Sequence, residues 1–228
     1  MEYVFAPEPV VSLPIHGSKL RFPVRRIYCV GRNYADHALE MGGDPRQEPP
    51  FFFTKPANAI VTDGRSVHYP SRTQNLHHEI ELVIALDKGG SDIAVADAWD
   101  HVFGFAVGLD LTRRDLQNEA KKSGRPWDTG KAFDESAPVS GLHRLTETGR
   151  IESGRIWLQV NGAIRQEGDI AQLIWSIPEV IAELSTLFRL QPGDLVFTGT
   201  PAGVSAIRRG DILEGGVAGL TGLRVEIV

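Results

Sequence analysis

The chain has a single cysteine, Cys29, so no disulfide can close within it and no thiolate cluster can hold a structural zinc ion. Cys29 sits in a β-prone apolar run, where a thiol is more often a packed core residue than a nucleophile. Positive charge is also short. Lys and Arg number 24 against 29 Asp and Glu, a formal charge of −5, which argues against a general electrostatic grip on nucleic acid or acidic lipid. No apolar run approaches the ~18 residues that a membrane-spanning helix needs. The opening Met1-Glu2-Tyr3-Val4-Phe5-Ala6-Pro7 lacks the charged start and apolar core of a secretion signal, and a reducing, cytoplasmic location is expected. There is no G-x-S-x-G nucleophile elbow and no P-loop. The glycines Gly215, Gly216, Gly219 and Gly222 have the wrong spacing for a dinucleotide-binding turn, and no helix follows them. A metal ion here would have to be held by oxygen, with histidine as the remaining donor.

What is present is an ordinary globular composition: 228 residues, 42% hydrophobic and 23% charged, enough to bury one sizeable core. The 24 glycines favour many tight turns. Residues 1–23, rich in Pro and Val, read as an extended arm with short strands, and residues 24–228 as one domain. Short strands are expected over Arg26 to Val30 and at Phe51-Phe52-Phe53. Phe103 to Leu109 is continuously apolar, as a strand buried on both faces would be. Arg155 to Val160 and Ala163 to Gln166 flank Asn161-Gly162, a strong hairpin turn. A helix is plausible over Leu111 to Lys122. The clearest helix runs from Ile177 to Leu190, with Ser176 and Glu179 at capping-box spacing and Ile177, Val180, Ile181, Leu184, Leu187 and Phe188 on one face. The fold class is therefore α+β and β-rich, without a regular βαβ alternation.

The strongest local signal for chemistry is His77-His78-Glu79-Ile80-Glu81-Leu82. In a strand, Glu79 and Glu81 point the same way with Cα atoms ~6.5–7 Å apart. Two such carboxylates repel unless a positive charge sits between them, and a divalent cation does this naturally. The same alternation equally describes a strand with one wet face. Asp110 follows the apolar run to Leu109, where a buried carboxylate needs a partner: a metal, an arginine, or the helix that it caps. Lys131, among Gly130, Ala132 and Phe133, reads either as an amine aimed into a cleft, where it would stabilise an oxyanion or enolate, or as a surface lysine. His37 and Glu40 are three apart on an expected helical turn, Asp36 to Met41. That spacing suits a carboxylate-oriented general base and suits an ordinary surface pair. Thr198-Gly199-Thr200-Pro201 is a strand-ending turn that could offer hydroxyl and N–H groups to a carboxylate.

These pieces, taken in order with Cys29 to His37, Gly108 to Thr112, Arg114 to Gln117, Gly130 to Phe133, Val160-Asn161-Gly162, Arg165-Gln166 and Thr198 to Gly203, resemble the fumarylacetoacetate hydrolase family, in particular its small acylpyruvase branch. The resemblance runs from about residue 25 to the end of the chain. It implies a mixed β-sandwich roll or pseudo-barrel, usually a homodimer, with Mg²⁺ or Mn²⁺ (Ca²⁺ also compatible) on Glu79, Glu81 and Asp110. It implies His37 and Glu40 as the catalytic pair and Lys131 as the catalytic amine. It places Arg32, Tyr34, Arg114, Gln117 and Thr200 against a small dioxo-acid substrate. Arg113 departs from the family pattern, where a small residue is common. The activity implied is hydrolysis of a 2,4-dioxo acid, with fumarylpyruvate of aromatic (gentisate) breakdown the first choice. Oxaloacetate decarboxylation, the isomerisation and decarboxylation of homoprotocatechuate breakdown, and non-catalytic binding of a keto acid are the alternatives.

Overall fold

The computed structural model describes residues 2–35, 49–62 and 64–228. His37 and Glu40, with the helical turn expected around them, lie outside the described residues.

The centre of the molecule is a six-stranded sheet in the order His143–Arg144, Val102–Leu109, Ile80–Leu86, Leu195–Phe197, Ile27–Gly31, Phe51–Lys55. Its neighbours are antiparallel except Leu195–Phe197 on Ile27–Gly31, which is parallel. A second, antiparallel sheet follows the order Ala163–Asp169, Arg155–Val160, Ile212–Val217, Leu223–Glu226. The Asn161-Gly162 turn joins its first two strands, both residues in the left-handed region (φ 52° and 80°) that such a two-residue hairpin requires. This is the β-rich α+β architecture expected.

The central strand Ile80–Leu86 is buried at all seven positions. Its even residues, Ile80, Leu82, Ile84 and Leu86, join one apolar cluster with Tyr28, Val107, Leu109 and Val196. Val83 and Ala85 join a second cluster with Ile27, Cys29, Ala106, Leu195 and Phe197. Leu13, Ile15 and Phe22 from the N-terminal segment belong to that second cluster and help to cover the face that an alternating pattern would leave wet. Glu81 therefore lies within the interior, in line with Val83 and Ala85, and not on a solvated face.

The helix Ile177–Leu187 carries the expected capping box between Ser176 and Glu179. It buries Ile177, Val180, Ile181 and Leu184 in the first cluster. It stops short of Leu190 because that residue's backbone pairs instead with Gly90 (2.8 and 3.1 Å). The helix expected from Leu111 begins only at Arg114 and ends at Lys122. Ahead of it, Leu111 donates its N–H to Ser136 and Thr112–Arg113 pairs with Leu76–His77, so the backbone groups that would start a helix are already committed.

Candidate metal centre and substrate pocket

Antiparallel pairing builds the site. Ile80 lies opposite Leu109 and Glu81 opposite Gly108, so the start of one strand meets the end of its neighbour. Asp110 then donates its N–H to the Glu79 carbonyl at 2.9 Å. Carboxylate oxygens of Glu79, Glu81 and Asp110 lie within 4.8 Å of one another, and all three residues are at most 4% exposed.

Two of the three are neutralised by buried cations. Lys131 Nζ donates to Glu79 Oε2 (2.8 Å), Asp110 Oδ2 (2.6 Å) and Thr112 Oγ1 (2.7 Å). Arg114 donates to Glu79 Oε1 and, through Nη1, to Gln117 Oε1 at 2.6 Å. Lys55 Nζ lies 2.8 Å from Asp110 Oδ1 and donates to the carbonyls of Leu111 (3.2 Å) and Lys131. Its geometry toward Oδ1 is an ion pair and not a hydrogen bond, so that buried oxygen retains an uncommitted lone pair. Burial works against the Lys131 ammonium, but Asp110 and Glu79 outweigh it and hold its pKa above the ordinary lysine value.

Glu81 is the exception. Its Oε2 accepts the Gly199 N–H at 2.7 Å. Burial first, then Asp110 and Glu79, push its pKa well above the ordinary carboxylate range. A carboxylate buried beside two others, with no ion pair of its own among the described residues, is what a cation would complete. All donors are oxygens, the chemistry of hard ions such as Mg²⁺ and Mn²⁺. The residues fit the expected ion.

One pocket, about 360 Å³ of atom-free space, brings this cluster together with Arg32, Arg114, Gln117, Lys131 and Thr200, all proposed from sequence. Tyr34 lies elsewhere: it lines a neighbouring pocket with Glu167 and Pro201, its hydroxyl buried and without a hydrogen-bond partner among the described residues. Burial, Glu81 and Asp169 raise its pKa. Arg113, the departure from the family pattern, stacks its guanidinium 4.4 Å from the Phe133 ring centroid.

Sequence reasoning missed several participants. Lys55, at the end of an aromatic strand, carries no local sign that it will be buried. Gln166 is fully enclosed and fixes the direction of the Thr200 hydroxyl. Its Oε1 accepts from Ile80 N–H (3.1 Å) and pairs with His78 Nδ1 (2.8 Å); its Nε2 donates to Thr200 Oγ1 (2.7 Å) and the Pro201 carbonyl (2.8 Å). An amide whose oxygen is so occupied can only donate to Thr200, which leaves the Thr200 proton free to point into the pocket. His78, its pKa lowered by burial, then holds its proton on Nδ1 and accepts from Ser205 Oγ at 2.9 Å through Nε2.

A β-rich α+β fold with a buried, all-oxygen ligand cluster backed by a charged lysine defines an enzyme built for a hard divalent cation. The fumarylacetoacetate (FAA) hydrolase C-terminal family matches residues 26–228, and the chain belongs to that family. A crystal structure of fumarylpyruvate hydrolase from Pseudomonas aeruginosa in complex with Mn²⁺ and pyruvate is 55% identical, with a TM-score of 0.98 over 100% of this chain and 99% of that one. Fumarylpyruvate hydrolase from Ralstonia sp is 44% identical over 81% of this chain and 95% of its own. Oxaloacetate tautomerase FAHD1, mitochondrial, from Rattus norvegicus is 42% identical over 89% of this chain and 91% of its own.

Proposed function

We propose that this protein is a divalent-metal-dependent acylpyruvate hydrolase that cleaves the C3–C4 bond of a 2,4-dioxo acid, with fumarylpyruvate giving fumarate and pyruvate. The observation that carries this reading is the convergence of Glu79, Glu81 and Asp110 with Lys131, Arg114, Gln117 and Thr200 on one pocket. The similar Pseudomonas aeruginosa enzyme, in complex with Mn²⁺ and pyruvate, supports it.

Glu79, Glu81 and Asp110 would hold the ion. When bound, the cation supplies Lewis-acid polarisation of the substrate's 1-carboxylate and 2-oxo oxygens. Lys131, kept charged by its carboxylate neighbours, sits where negative charge develops on the departing pyruvate enolate. Arg114 occupies Gln117 Oε1, so the Gln117 amide N–H₂ is turned toward the substrate carboxylate, as is the Thr200 hydroxyl. His37, oriented by Glu40, is assigned the proton of the attacking water. The water's hydroxyl adds to C4 and becomes part of the new carboxylate, the C3–C4 bond breaks, and C3 of the enolate takes up a proton to give pyruvate.

A homodimer, a cytoplasmic location, and the division into an arm (1–23) and a catalytic domain (24–228) belong to the same proposal. The described residues contain no helix long and apolar enough to cross a membrane.

The 42% identity to an oxaloacetate tautomerase favours one second reading, proton transfer between enol and keto forms of oxaloacetate at the same pocket. That reaction needs no water at the carbonyl. The test is to assay fumarylpyruvate, maleylpyruvate, acetylpyruvate and oxaloacetate with Mg²⁺ or Mn²⁺. Hydrolysis releases pyruvate and the matching acid in equal amounts, and His37→Ala abolishes most of it while Mn²⁺ still binds. Decay of enol-oxaloacetate absorbance with no dioxo acid cleaved would replace the hydrolase reading by the tautomerase one.

A further inference from the structure

The acidic cluster uses one end of the pocket; the other end holds a lysine that the mechanism above does not use. Arg114, Gln117 and Lys121 lie on one face of the helix Arg114–Lys122, and all three line the pocket. Arg114 is bonded to Glu79 at the cluster end. Lys121, seven residues further on, lies ~10 Å along the helix axis at 1.5 Å per residue.

The buried cations at the cluster end are each held by a carboxylate: Lys131 by Glu79 and Asp110, Lys55 by Asp110, Arg114 by Glu79. Lys121 is half-buried, has no carboxylate partner among the described residues, and stands over the Trp127 ring at 5.0 Å. Trp127 packs edge-on against Phe51 (5.3 Å) and tilted against Phe53 (5.9 Å), and the three rings form an apolar wall between the cluster and Lys121. Burial, then the positive charges of Arg114 and Arg32, lower the Lys121 pKa to about 8. A desolvated ammonium beside other positive charges, with no carboxylate partner among the described residues, is a place for an anionic ligand.

We propose that Lys121, backed by Trp127, binds the terminal carboxylate of the acyl chain and so selects dicarboxylic acylpyruvates over those with an uncharged end. This rests on the acylpyruvate reading of the site. The dimensions agree. Six carbon–carbon bonds separate the two carboxyl carbons of a dioxo acid with a four-carbon dicarboxylic acyl group, ~7–8 Å in an extended zigzag of ~1.5 Å bonds. With its pyruvoyl end beside Glu79 and Gln117, such a chain crosses the aromatic wall and ends near Lys121. A flat, unsaturated acyl chain suits that wall, and an ammonium pairs with a carboxylate as a point charge that tolerates a range of approach angles. The competing account is purely structural: a lysine stem that shields Trp127 from water.

The test compares the Mn²⁺-loaded enzyme with its Lys121→Met and Lys121→Arg variants on fumarylpyruvate and acetylpyruvate, and titrates each with fumarate by calorimetry. The ratio of kcat/KM for fumarylpyruvate to that for acetylpyruvate is expected to fall about 10–100-fold in Lys121→Met, the usual scale for a charge-assisted contact. Fumarate affinity falls with it, and Lys121→Arg recovers most of both. An equal loss on both substrates, or an unaltered ratio with unaltered fumarate affinity, overturns the proposal in favour of the structural account. If the wild-type enzyme turns over neither dioxo acid, the hydrolase reading fails, while the fumarate titration still decides whether Lys121 holds a carboxylate.

Discussion

A single amide decides the polarity of one wall of the pocket. Because Gln166 Oε1 is occupied by Ile80 N–H and His78, its NH₂ donates to Thr200 and leaves the threonine proton for the substrate. Gln166→Glu keeps the shape but removes the donor, so Thr200 would turn its own proton toward the new carboxylate. The expected result is a rise in KM of about 10-fold with a smaller change in kcat, since a ground-state contact to the substrate carboxylate is lost. Steady-state kinetics on fumarylpyruvate check it. A second prediction concerns Lys121, whose pKa is lowered first by burial and then by the charges of Arg114, Arg32 and Lys131, and raised by that of Glu79. The ammonium is present below about pH 8 and lost above it, so the preference for fumarylpyruvate over acetylpyruvate declines as pH rises through about 8. A pH series of the two kcat/KM values, taken as a ratio so that common ionisations cancel, measures this. Of these residues, Gln166 and Lys121 stand in stretches readable from the sequence, but nothing local separates an amide at the core from an amide on the surface.

At the scale of the element, the turn after Leu195–Phe197 delivers a backbone N–H to Glu81, and it does so through glycine. Gly199 has φ +104°, a conformation costly for any residue with a Cβ, and a Cβ there would lie 2.7 Å from Asn33 Cβ. Gly199→Ala is expected to lower stability by roughly 1–3 kcal/mol. It should weaken Mn²⁺ binding as well, because the N–H that orients Glu81 moves. Thermal denaturation and a calorimetric Mn²⁺ titration read the two effects. The strand Ile80–Leu86, which carries Glu81 and directly follows Glu79, shows how far patterning reaches. The two-residue period was legible and correct, as was the capping box of the helix Ile177–Leu187. Which faces are covered was not legible, because Leu13 and Phe22, about sixty to seventy residues earlier in the chain, help to close the second face.

At the scale of the molecule, the buried carboxylates are an electrostatic cost that an ion offsets. Glu81→Gln keeps an acceptor for Gly199 N–H while it removes one of three crowded charges. In the absence of metal this variant should melt higher than the wild type by a few degrees, on the order of 2–4 °C for each 1 kcal/mol at this chain length. Addition of Mn²⁺ should raise the wild-type Tm, by mass action on the folded state, and leave the variant almost unmoved. A thermal-shift series with and without a chelator checks both statements; a variant that melts lower without metal and still responds to Mn²⁺ would remove Glu81 from the ligand set.

By itself the linear order determined a β-rich fold, the absence of sulfur ligands and the two-residue period that turns Glu79 and Glu81 the same way, while the metal on them rested on the ordered resemblance to a family, because spacing alone fits a wet strand face equally well. Folding settled the rest. It buried Glu81, set Asp110 against Glu79 through strand register, and drew Lys55, Lys131 and Arg114 from distant segments into one ion network. It also left Lys121 at the far end of the pocket without a carboxylate partner among the described residues. Charge balance and burial are properties of the packed interior, and residues that supply them to one another are separated in the chain by intervals that no local pattern records.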